Sequence, residues 1–121
     1  PGTIFKEYNK EVGKIMESEL IKLGLLDKHD VLKQDPKNPL FKKYFMHGTS
    51  HYLGLDVHDV GSFDWPMKEG MAFTCEPGIY ILEEELGIRL ENDILVTANG
   101  PDDLMKNIPI ESDEIEDLMN S

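Results

Sequence analysis

The feature that most limits the fold of this chain lies between Met71 and Thr97, where strand-forming runs alternate with turn chemistry. Met71 to Cys75 is a short apolar run, Glu76-Pro77-Gly78 interrupts it, and Ile79 to Leu82 resumes it. The break is expected because proline removes a backbone donor and glycine permits a turn. Glu83-Glu84-Glu85 is a charged tip, after which Gly87 to Thr97 returns as one longer strand. Runs joined in this way form an antiparallel hairpin. Side-chain alternation in the return strand assigns Ile88 and Leu90 to a core face and Arg89, Glu91 and Asp93 to a polar one.

Helical patterns flank the hairpin. From Ile4 to Leu23 the apolar positions Phe5, Tyr8, Val12, Ile15, Met16, Leu20 and Leu23 step by three or four, which predicts a helix with one buried face. Thr3 is placed to cap its start, and Gly24 to end it with a left-handed residue. Asp27 can cap a short helix through Gln34, and Asp35-Pro36 and Asn38-Pro39 then punctuate a loop. Phe41 to Phe45 fits either a helical turn or the start of a strand, Ser62 to Gly70 is loop, and Asn99-Gly100-Pro101 is a turn. Glu111 to Asn120 predicts an acidic terminal helix with Ile115, Leu118 and Met119 on one side. The expected architecture is an α+β layer in which a helix covers one sheet face and leaves the other free to build a site.

A chain of 121 residues with 40% hydrophobic residues suits a single domain with one modest core. A net charge of −12 repels phosphate backbones and anionic lipid, so neither nucleic acid nor a membrane surface is an expected partner. No apolar run approaches the ~20 residues of a membrane span. The single cysteine, Cys75, cannot close an internal disulfide, which fits a reducing, cytoplasmic setting. The chain starts Pro1-Gly2-Thr3 without an initiator methionine, and a processed product or a piece of a longer polypeptide is expected.

The chemistry concentrates in His47 to Gly61, HGTSHYLGLDVHDVG, which holds three of the four histidines together with Asp56 and Asp59. Any one histidine is ordinarily a hydrogen-bonded structural residue. Their density, with carboxylates downstream, shifts the weight toward a mixed nitrogen and oxygen metal site. His47 and His51 are four apart, but no glutamate follows His47, and Gly48, Thr49, Ser50 and Gly54 disfavour the helix that a His-Glu-x-x-His zinc motif requires. Glu76 stands at the end of an apolar run, where an unpartnered carboxylate costs several kcal/mol to bury. Glu91 taken alone fits a solvated sheet face, and Cys75 fits a small core residue with no basic neighbour in sequence to activate it.

HGTSHYLGLDVHDVG, then FTCEPGIYI, then GIRLENDILVT, in that order, closely resemble the C-terminal half of the catalytic domain of Xaa-Pro aminopeptidase (aminopeptidase P). That family groups with prolidase and methionine aminopeptidase among the pita-bread metallopeptidases. The resemblance implies half of a pita-bread fold and a site for two divalent metals, manganese foremost, with cobalt, iron or zinc as alternatives. In such enzymes a hydroxide bridging the metals attacks the carbonyl of an N-terminal residue that precedes proline. By the same resemblance His51, Glu76 and Glu91 match metal ligands, and Glu76 doubles as acceptor of the water proton. His47 and His58 match substrate-side catalytic histidines, and Tyr80 and Arg89 match residues that hydrogen-bond around a ligand aspartate. Two further aspartate ligands belong to the first half of the fold and have no equivalent here, since Asp27, Asp30 and Asp35 lie in a helix-and-loop stretch. The chain is therefore expected to be a fragment that is inactive alone, binds metal poorly, and self-associates through apolar surface. A prolidase-type dipeptidase and a non-catalytic peptide-binding module are the alternative readings.

Overall fold

In the computed structural model, which describes residues 1–121, the predicted hairpin is present but its return strand is broken in two. Strand β1 (Ala72–Cys75) pairs antiparallel with β4 (Asn92–Thr97), whereas β2 (Gly78–Ile81) pairs with β3 (Leu86–Arg89). Cys75 pairs with Asn92 and Gly78 with Arg89, so one register runs through both ladders. The two sheets are thus a single ribbon interrupted at Glu76-Pro77 on one side and Leu90-Glu91 on the other. Pro77, on the side of β1 that faces the partner strand, has no N–H to give the ladder, while the Glu76 N–H points to the opposite edge and donates to the Thr49 carbonyl at 2.7 Å. The expectation of one strand from Gly87 to Thr97 is corrected accordingly.

Strand β5 (Gly100–Asp103) completes the larger sheet in the order β1-β4-β5. Asn99-Gly100-Pro101 is therefore only partly turn. Gly100 takes φ +119, and Pro101 sits in an edge strand, the place where a missing donor is tolerated.

Helix α1 (Phe5–Lys22) lays its first turns on this sheet. Phe5 is fully buried among Tyr52, Met67, Phe73 and Val96, with its ring 5.0 Å from that of Phe73 in an edge-to-face arrangement. The predicted cap is corrected: Ile4 occupies the N-cap position and Thr3 instead accepts the Met67 N–H through its carbonyl at 2.8 Å. Gly24 ends the helix with φ +76, as predicted. Asp27 does cap helix α2 (Lys28–Lys33), accepting from the backbone of His29 and Asp30. A 3-10 turn, Leu40–Lys43, resolves the open reading of that segment.

The covered face expected for the return strand is corrected as well. Ile88 and Leu90 are 59% and 50% exposed, because that side of the β2–β3 hairpin opens onto a groove whose other wall is Met16, Leu23 and Leu25. Helix α3 (Ser112–Met119) forms where predicted, with Ile115, Leu118 and Met119 open to solvent.

Candidate metal centre

Residues 49–53 lie along the free edge of β1. Thr74 N–H donates to the His51 carbonyl at 3.0 Å, Tyr52 bridges to Phe73, and Leu53 N–H reaches the Ala72 carbonyl. His51 thereby stands on one side of β1, Glu76 at its end, and Glu91 on the other side, opposite Glu76 in the shared ribbon register. Three chain segments far apart in sequence bring three donor groups together, each offering one ligand atom within 4.8 Å of the others.

His51 Nε2 lies 3.2 Å from Glu76 Oε1 and 3.9 Å from Glu91 Oε1. Its Nδ1 is 3.0 Å from the Tyr52 carbonyl, which can only accept, so Nδ1 carries a proton. In the neutral ring Nε2 then presents a lone pair to two carboxylates. A proton or a metal ion must stand between these acceptors. The Tyr52 carbonyl fixing Nδ1–H is the arrangement that aims a metal-binding imidazole. One imidazole and two carboxylates fit a divalent cation, and hard oxygen donors admit manganese, cobalt or iron as readily as zinc.

Glu76 is only 9% exposed, and two carboxylates directly opposite one another on a ribbon repel. Arg89 relieves part of this: its guanidinium is 3.4 Å from Glu76 Oε2 and 3.9 Å from Glu91 Oε2. With half its side chain in water, Arg89 offsets the repulsion only weakly.

Thr74 was not singled out from the sequence. It is fully buried, accepts the His51 N–H at 3.0 Å and donates to Glu76 Oε1 at 3.1 Å. The available signal was strand alternation, which puts Thr74 and Glu76 on one face and Phe73 and Cys75 on the other. On that opposite face Cys75 lines an apolar cavity of about 340 Å³ with Tyr8 and Phe73. Tyr8 O–H points at Cys75 Sγ across 3.7 Å, and burial pushes the Tyr8 pKa up to about 12.

The remaining predicted residues divide. His47 Nε2 is 3.0 Å from Tyr80 OH and its Nδ1 is 2.7 Å from the Gly48 carbonyl, so Tyr80 donates to the ring nitrogen that Nδ1–H leaves free. Gly78 makes this approach possible, since a Cβ there would stand 2.9 Å from Tyr80 OH and 3.0 Å from His47 Nε2. His58 is exposed and turns its ring edge-on to His51, centroids 4.2 Å apart. Asp59 holds the loop, accepting from Leu55 N–H at 3.0 Å and Val60 N–H at 2.7 Å. Tyr80 and Arg89 contact His47 and the two glutamates respectively.

One imidazole from the 49–53 segment and two carboxylates facing each other on the ribbon make a donor set suited to a divalent cation. The chain belongs to metallopeptidase family M24, whose family model matches residues 1–98. It is 41% identical to the Xaa-Pro aminopeptidase of Escherichia coli (strain K12) over an alignment 133 positions long, covering 98% of this chain and 29% of that protein. Among solved structures, proline aminopeptidase P II from Yersinia pestis superposes with a TM-score of 0.82 at 37% identity, over 99% of this chain and 30% of that one. Zn-substituted E. coli aminopeptidase P in complex with product gives 0.81 at 40% identity, over 98% and 29%. The expected α+β, pita-bread class holds, and the chain spans less than a third of these relatives.

Proposed function

We propose that these residues form the C-terminal part of the catalytic domain of a divalent-metal aminopeptidase that releases an N-terminal residue preceding proline. The observation that carries this reading is the meeting of His51 Nε2, Glu76 and Glu91 within 4.8 Å. Similarity to Xaa-Pro aminopeptidases along 98% of the chain supports the substrate class. Two aspartate ligands would come from a preceding segment of the fold, in keeping with a chain that spans 29% of its E. coli relative. Two ions, manganese foremost, are the proposed complement, and a cytoplasmic setting suits the unpaired Cys75. No helix is long and apolar enough to cross a membrane.

Divalent ions held there supply Lewis acidity, polarising a peptide carbonyl and acidifying water. His51 contributes Nε2, oriented by the Tyr52 carbonyl, while Glu76 and Glu91 contribute their carboxylates. Glu76 receives the proton given up by water, a role suited to a carboxylate that is buried yet hydrogen-bonded. His58, exposed beside His51, donates toward the oxygen on which charge develops, and His47, fixed by Tyr80, orients the substrate carbonyl.

The isolated 121-residue chain is expected to bind Mn²⁺ weakly and to leave Ala-Pro-Ala intact. Joined to the preceding segment of the E. coli enzyme it should hydrolyse that peptide only with metal present, and Glu76→Ala should cost about 10²–10⁴-fold in rate. Tight two-metal binding or turnover by the isolated chain, or a folded but inactive chimera, would overturn this reading.

A further inference from the structure

Thr74 has a place in this site that its neighbours do not explain. At the hydrogen-bonded positions of an antiparallel pair, such as His51 and Thr74 beside the Tyr52–Phe73 bridge, two facing residues exchange both backbone bonds. Thr74 N–H does donate to the His51 carbonyl at 3.0 Å, but the His51 N–H goes to the Thr74 hydroxyl, also at 3.0 Å. The same hydroxyl, having accepted that bond, has a single proton to give and gives it to Glu76 Oε1 at 3.1 Å. Glu76 Oε1 is the oxygen that faces His51 Nε2. The backbone of one ligand residue is thus tied through a single oxygen to the carboxylate of another. The relay is shielded from water: Thr74 is fully buried and Glu76 is 9% exposed. A hydroxyl accepts from a backbone N–H and donates to a carboxylate through one and the same atom, and valine, the isostere of threonine, does neither.

We propose that Thr74 is a positioning residue that fixes the distance between the His51 and Glu76 donor atoms and holds one lone pair of Glu76 Oε1 occupied, leaving the other for the ion. This inference rests on the metal-site reading above. Its effect falls on affinity and coordination geometry, because partners that orient a ligand typically change metal affinity about 10–100-fold.

The test uses the complete polypeptide, residues 1–121 together with the segment that supplies the remaining ligands. Mn²⁺ affinity is measured by calorimetry and coordination by the visible spectrum of the Co²⁺-loaded protein, with the thermal midpoint of the metal-free protein recorded beside them. Thr74→Val should weaken Mn²⁺ binding by about 10–100-fold and shift the Co²⁺ bands, and Thr74→Ser should stay within about threefold of the parent. A valine variant that binds with unchanged affinity and spectrum overturns the proposal. If valine prevents folding, the serine variant decides: restored affinity and spectrum support the hydroxyl relay, and affinity as weak as in Thr74→Ala overturns it in favour of methyl packing. A parent protein that binds no metal at all would instead remove the metal-site reading beneath it.

Discussion

At the scale of single residues, burial and hydrogen bonding give Tyr8 the one side-chain pKa that moves by a large amount. Burial raises it first, a contact with Cys75 raises it further, and the hydroxyl of Ser50 lowers it, leaving it near about 12 against an ordinary 10.0. The native state therefore keeps a proton that the unfolded chain has lost at intermediate pH. Tyr8 stabilises the fold fully below pH 10.0, and that contribution is lost as pH rises through about 12. Absorbance titration of phenolate should show a late step among the four tyrosines. Burial raises Tyr52 as well, so Tyr8→Phe should remove the latest part of that step and lessen the alkaline loss of stability, and an unchanged titration would discount the burial of Tyr8. The three stretches that carried the resemblance supply His51, Glu76 and Glu91, and the structure brings one donor atom from each within 4.8 Å of the others. Thr74 was not legible in the sequence, because its role depends on residues 49–53 lying along β1, a long-range pairing that no local pattern announces.

At the scale of elements, the helix and the hairpin followed from periodicity, while the places where they end were decided by tertiary bonds. The single return strand failed at Leu90-Glu91 because the break is imposed from across the ribbon, where Pro77 offers no donor. Thr3 failed as a cap because its backbone is engaged with Met67. The same competition predicts the outcome at Gly13, buried in the middle of α1. Alanine there should gain ~0.5–1 kcal/mol in helix propensity. Its Cβ, however, would stand 2.9 Å from Phe41 Cζ, where the 3-10 turn crosses the helix. Overpacking of this kind costs ~1–3 kcal/mol, so the steric term wins. Gly13→Ala is expected to destabilise by about 1 kcal/mol, seen as a lower urea midpoint at unchanged slope. A higher midpoint would mean that the Phe41 ring swings away freely.

At the scale of the whole molecule, the core is small for the apolar surface the chain carries. Only 14 of 121 residues are buried, while Leu23, Leu86, Ile88 and Leu90 are between 45% and 64% exposed around one groove. A contiguous apolar face of this kind marks a surface that another element or chain covers. In the isolated chain the available apolar partner is a second copy, so we expect dimers or larger assemblies. Charge opposes this, since two copies each carry −12, and repulsion between exposed charges reaches about 30 Å at 0.01 M salt but only about 3 Å at 1 M. Association should therefore grow with ionic strength, the reverse of what salt-bridged complexes do. Light scattering across that range is expected to show mass rising with salt for the parent chain. Ile88→Glu, which places a charge at the centre of the groove, should hold it at the monomer mass throughout. A parent chain that stays monomeric at high protein concentration in 1 M salt would show that this face needs no partner.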